Sequence, residues 1–178
     1  MKIRAPDQVF KLLQEFWEAN KDKQNVEKWP TGNTYVNHWE EKSYMVNVED
    51  ATLKHGGFVL RQHIWNAARD TLQEWTGQQL AECSLYGIRV YKEGAVLAPH
   101  VDRLPLVSSA IINVDQDVDE PWYVRVAPIT HNSHAHQFSQ VLVFRPLEVI
   151  GHDGKAHNVT MLPGDLVLYE SHSIIHGK

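Results

Sequence analysis

Two side chains able to bind a metal ion sit two positions apart in "VLAPHVDRLP" (96–105): His100 and Asp102. If a strand runs through "APHVD", its period of two sends both to one face while Val101 points the other way. That is the geometry two neighbouring ligands of one ion need. By itself the pair reads first as the polar end of a strand, because the chain holds 11 histidines and such pairs arise by chance. A further candidate comes late, where "YESHSIIHGK" (169–178) offers His172 and His176 on what reads as another β segment. Two imidazoles and a carboxylate on neighbouring strands make the facial triad that leaves open positions on non-haem Fe(II).

Strands and helices must exist to position these groups. In "DQVFKLLQEFWEAN" (7–20) Val9, Leu13, Phe16 and Trp17 fall at helical spacing behind a start signal at Pro6 or Asp7. A second helix is predicted from Phe58 to about Thr76, with Ile64, Ala68, Leu72 and Trp75 on one face and Gly77 as its stop. Residues 29–50 show no clear period and read as loops with at most one short strand. The period then changes to two. "SLYGIRVY" (84–91), "LVSSAIINV" (106–114), "SQVLVF" (139–144), "PLEVIG" (146–151), "HNVTML" (157–162) and "DLVLYE" (165–170) read as short strands, with turns at "HDGK" (152–155) and "PGD" (163–165). Helices first and strands afterwards predict an α+β chain whose β part is a sandwich, barrel or jelly roll.

With 178 residues, 43% of them hydrophobic, the chain is expected to form one domain over 1–178. A net charge of −5 without a basic stripe argues against nucleic acid as a partner. No apolar run approaches the length of a membrane span and no signal peptide is visible, so a soluble cytoplasmic protein is the default expectation. The lone Cys83 argues against a disulfide framework and is expected to be a small buried residue. The histidines of "HNSHAH" (131–136) read as a solvated loop, since nothing there preorganises them for a metal.

Three ordered segments, "LYGIRVYKEGAVLAPHVDR", "AIINVDQDVDEPW" and "GHDGKAHNVTMLPGDLVLYESHSIIHG", resemble the catalytic domain of 2-oxoglutarate- and Fe(II)-dependent oxygenases of the prolyl 4-hydroxylase type. The resemblance implies a double-stranded β-helix, a jelly-roll variant, with the N-terminal helices buttressing one sheet. It implies iron ligation, and thus catalysis, by His100, Asp102 and His176. His176 is favoured over His172 because in that family a glycine closely follows the distal histidine. Tyr91 stands where a tyrosine often reaches the cosubstrate, or else packs in the core; Trp122 lines the pocket or belongs to the core. The implied chemistry is a dioxygenase reaction with Fe(II), 2-oxoglutarate and O2, with ascorbate as an optional reductant, on a peptidyl (prolyl-type) or small-molecule substrate. Competing expectations are a catalytically silent jelly-roll binding module and a cupin-like metal protein that uses no 2-oxoglutarate.

The sequence departs from that family in two places. Residues 123–145 have no counterpart in its pattern, and Lys178 stands two positions past His176, where the family continues to a basic anchor on a final strand. That strand is expected to be missing, with Lys178 standing in as a point charge that lacks the fork of arginine. Codons for residues 123–126, and for Gly177 and Lys178 followed by a stop, can contain splice-donor-like sequences. Retained intron sequence is therefore the expected origin of both departures, and sequencing of mature message should lack codons 123–145; their presence there would reject it.

Overall fold

The computed structural model describes residues 1–28, 41–118 and 147–178. Among these the chain is α+β, with two helices and three small antiparallel sheets. In chain order the elements are β1 (Lys2–Arg4), α1 (Asp7–Asn20), β2 (Asn25–Val26), β3 (Tyr44–Val46), α2 (Phe58–Thr76), β4 (Ile88–Val90), β5 (Ser109–Ile112), β6 (Leu147–Ile150), β7 (Ala156–Val159), β8 (Asp165–Tyr169) and β9 (Ile175–Gly177). Their sheet orders are β1-β8-β5, β2-β3-β4 and β7-β6-β9.

Both helices form where the periodicity places them. Val9, Leu13, Phe16 and Trp17 of α1 are buried with Leu60 and Ile64 of α2, against Val46, Val48 and Val114. Burying side chains of this size is worth about 1.5–3 kcal/mol each, which is why a stripe of apolar residues holds the helices in place. Gly77 ends α2 in the left-handed conformation (φ 66°), donating its N–H to Gln73 O at 2.9 Å. Asn20 is buried at the end of α1: it donates to Phe16 O and Lys54 O and accepts from the Lys54 N–H, tying the helix to the loop before α2.

Strand β8 is buried along its whole length. Leu166 and Leu168 face the helices with Ala5, Phe10, Leu72 and Trp75, whereas Val167 and Tyr169 face Val149 and Val159 of the third sheet and Met161 beyond it. The "DLVLY" segment is thus apolar on both faces because layers lie on both sides of it. Its neighbours are β1, in register Ile3 to Leu166, and β5, in register Ile111 to Val167.

Several strands are shorter than their patterns predict. Gly87, at φ 102°, breaks the extended run and delays β4 to Ile88. Leu106 and Val107 turn their carbonyls to the side chains of Ser171 and His172, so β5 begins only at Ser109. Thr160 O is taken by Lys2 Nζ and the Leu162 N–H by Asp165, which ends β7 at Val159. β1 and β2 were not expected, being too short to show a period. Cys83 is exposed, contrary to expectation, because it lies in an irregular stretch after α2 from which Leu85, and not Cys83, packs against the core. The predicted strand at 139–144, Trp122 and the histidines of 131–136 lie outside the described residues. Among the described residues no helix is long and apolar enough to cross a membrane.

β1 is locked to β8 by charge. Asp165, 9% exposed at its side chain, pairs with Arg4 at 2.8 Å and Lys2 at 3.2 Å. The Leu162 N–H, then Arg4 and Lys2, hold its carboxyl down at about 2. A depressed carboxyl stabilises the fold above its unfolded value of 3.8 and loses that contribution as pH falls through about 2. Asp165→Asn should therefore cost roughly 1–3 kcal/mol at neutral pH. In urea melts the gap to the unmutated protein should close between the unfolded and folded values; a gap that persisted in acid would assign the loss to packing instead.

Candidate metal centre

β9 has a neighbour on each edge. On one, Val149 of β6 stands opposite His176. On the other lies the segment before Asp102: the His100 N–H donates to His176 O at 2.9 Å, and the His176 N–H returns to His100 O at 2.8 Å. A second reciprocal pair joins Leu97 and Lys178, at 2.6 and 2.9 Å. Residues directly opposite in an antiparallel pair present their side chains on the same face. The two imidazole rings accordingly lie 4.3 Å apart, centroid to centroid. Asp102, two positions on, donates its N–H to Ser171 O at 2.7 Å and joins the same face, while Val101 turns out to solvent at 41% exposure.

Gly177 makes this approach possible. A Cβ on it would lie 2.9 Å from Leu97 O and 3.1 Å from the Pro99 Cα and N. A glycine after His176 is therefore required sterically by the strand that carries His100.

The ring nitrogens are oriented by the main chain. His100 Nδ1 is 2.8 Å from Ala98 O and His176 Nδ1 is 3.0 Å from Ile174 O. A carbonyl only accepts, so each Nδ1 carries a proton, and in the neutral tautomer it is Nε2 that keeps the lone pair. Both Nε2 atoms face Asp102 Oδ1, at 3.7 and 3.8 Å. The three ligand atoms lie within 4.8 Å of one another, a span that two bonds of roughly 2.0–2.6 Å bridge. Burial, reinforced by the neighbouring His176, holds His100 below its ordinary value and so favours the neutral, ligating imidazole. Two neutral imidazoles and one carboxylate suit Fe(II).

The group opens into a cavity of about 650 Å³ whose walls include Arg89, Tyr91, Ser109, Tyr169 and Lys178. Ser109 donates to Asp102 Oδ2 at 3.3 Å. Tyr169, which sequence reasoning passed over, packs edge-on against His176 with its hydroxyl 3.3 Å from Nε2. The signal was available: Tyr169 alternates with Leu168 along "DLVLYE". Burial first and the Asp102 charge second push its hydroxyl far above the ordinary phenol range, so it remains a neutral donor. Tyr91 is in the same cavity, with Lys178 Nζ 4.2 Å from its ring centroid. Burial lowers the Lys178 ammonium to about 7. His172 stays out of the group: it is exposed and turns Nδ1 to Val107 O at 3.2 Å.

No profile of a known protein family matches the chain, and no curated protein matches it. Among solved structures, a prolyl-4-hydroxylase from Pseudomonas putida is similar with a TM-score of 0.50 at 14% identity, over 99% of this chain and 82% of that one. At this identity the likeness is one of fold. The His100, Asp102 and His176 group lies within the matched chain.

Removing either imidazole should abolish tight binding of one divalent ion. In calorimetric titration with Fe(II) under argon, His100→Ala and His176→Ala should each weaken binding by roughly 100-fold or more, whereas His172→Ala should leave it unchanged. Gly177→Ala should also weaken it, by forcing the two strands apart. Equal losses in all the histidine variants would reject this ligand set.

Proposed function

We propose that this chain is an Fe(II)- and 2-oxoglutarate-dependent dioxygenase that hydroxylates a peptidyl, prolyl-type, or small-molecule acceptor. The observation that carries the reading is the inward-facing set of His100 Nε2, His176 Nε2 and the Asp102 carboxylate on one side of a large cavity. In this reading the three small sheets are parts of a double-stranded β-helix, with α1 and α2 as its buttress. When bound, Fe(II) and 2-oxoglutarate supply a hydroxylation in which one atom of O2 enters an acceptor C–H bond, the other enters succinate, and CO2 leaves.

The chain's own residues have distinct tasks. His100, Asp102 and His176 would hold the ion through two imidazoles and a carboxylate, a set that suits Fe(II) and fills only part of its coordination sphere. The Nδ1 hydrogen bonds to Ala98 O and Ile174 O stop the rings from turning, and Ser109 does the same for the carboxylate. Tyr91 and Lys178 are the candidates to meet a carboxylate of the cosubstrate, as donor and as charge. The apolar lining, with Leu97, Ile111 and Met161, keeps bulk water from the reacting end.

The test is an anaerobic titration with Fe(II) and then 2-oxoglutarate, following the visible charge-transfer absorption of the chelate. The unmutated chain should develop it and His176→Ala should not. Fe(II) binding without the absorption at any 2-oxoglutarate concentration would replace this reading with a cupin-like metal protein.

A further inference from the structure

The cavity wall beside the metal group includes Arg89, whose largely buried ion pair with Glu27 the reading above does not use. On β4, Ile88 and Val90 pack against the helical core, and Arg89 and the following Tyr91 are among the residues that line the cavity. Arg89 is 22% exposed at its side chain and Glu27, just after β2, only 9%. Arg89 Nε and Nη2 both donate to Glu27 Oε1, at 3.2 and 2.6 Å, and Ser43 donates to Oε2 at 2.7 Å. Both carboxylate oxygens are engaged, so Glu27 cannot turn and the guanidinium plane is held with it. A buried pair of this kind gives little net stability over apolar residues of the same size, and so calls for another reason to be there.

The remaining terminal nitrogen provides one. Arg89 Nη1 approaches the Tyr91 hydroxyl oxygen at 3.5 Å. A guanidinium only donates, so the phenol oxygen accepts on that side, and the positive charge repels the phenol hydrogen toward the opposite side. The Lys178 ammonium covers the Tyr91 ring. Tyr91 is thereby held between the Arg89 guanidinium and the Lys178 side chain in the cavity that the Asp102 carboxylate also lines.

We propose that Arg89 is a positioning residue for a carboxylate ligand: clamped by Glu27, it leaves the Tyr91 hydroxyl to donate into the cavity, beside His100, Asp102 and His176. The ligand class is a small dicarboxylate, and the inference rests on the oxygenase reading in taking that ligand to be the cosubstrate. Arg89 acts through Tyr91, whose hydroxyl is the group that meets the ligand.

The test uses glutarate, a dicarboxylate without the 2-oxo group that chelates iron, titrated by calorimetry into the metal-free chain. Because Arg89→Met alone strands Glu27 as a buried charge, the main variant is Arg89→Met with Glu27→Met, its fold verified by thermal melting. This variant and Tyr91→Phe should each weaken glutarate about tenfold, and the two together should weaken it no further, since they remove one shared donor. Arg89→Lys should recover only part of the loss. Glutarate binding that is absent from the unmutated chain, unchanged in the Arg89 variant, or lost multiplicatively in the combination would overturn the proposal. The expected glutarate pattern in a chain that shows no iron-dependent absorption with 2-oxoglutarate would retire the oxygenase reading and leave the role of Arg89 standing.

Discussion

The reciprocal main-chain hydrogen bonds between His100 and His176 are the constraint on which the candidate site depends. They bring together two residues far apart in sequence, and they do so in the one antiparallel relation that puts both side chains on a common face. Everything local follows. Asp102 joins by strand period, Gly177 is the only residue the close approach accommodates, and the Leu97 to Lys178 pair extends the contact toward Tyr91. The pairing is itself supported from beneath. β9 lies on β6, and Val149 of β6 packs with Val167 and Tyr169 on the buried strand β8, so the site stands on the most deeply buried element described.

Burial then decides the charge states. A half-exposed pair of histidines would hydrate and protonate in mild acid, but desolvation holds His100 neutral and Tyr169 protonated. In each ring Nδ1 is occupied by a carbonyl two residues back, which turns Nε2 toward the Asp102 carboxylate. The same low-dielectric surroundings give weight to the Glu27 and Arg89 pair, whose field reaches into the cavity instead of being lost to water. Carboxylate, imidazoles and guanidinium thus all lie along one cavity.

How much of this was legible in the sequence varies with the range of the interaction. Helices α1 and α2 could be read to the residue because their apolar stripes and the Gly77 stop are local signals. The strand cores of β4 to β8 were legible as alternation in the described segments, but their ends were not. Those ends are set by contacts such as Ser171 to Leu106 O and Lys2 to Thr160 O, which no local window contains. β1 was invisible for the same reason: three residues carry no period, and its place is set by Asp165 on the far side of the chain.

The site divides along the same line. The sequence by itself determined that His100 and Asp102 share a face, that a late histidine followed by glycine was the candidate partner, and that no local arrangement could make a competing site of His172 certain or impossible. Only the tertiary structure decided the choice, by pairing His176 and not His172 with His100, and it alone brought Tyr169, Ser109 and the Glu27 to Arg89 clamp to the cavity. The physical reason is that period and sterics act between neighbours along the chain, whereas ligand sets and buried charge pairs are assembled by strand pairing and desolvation across it.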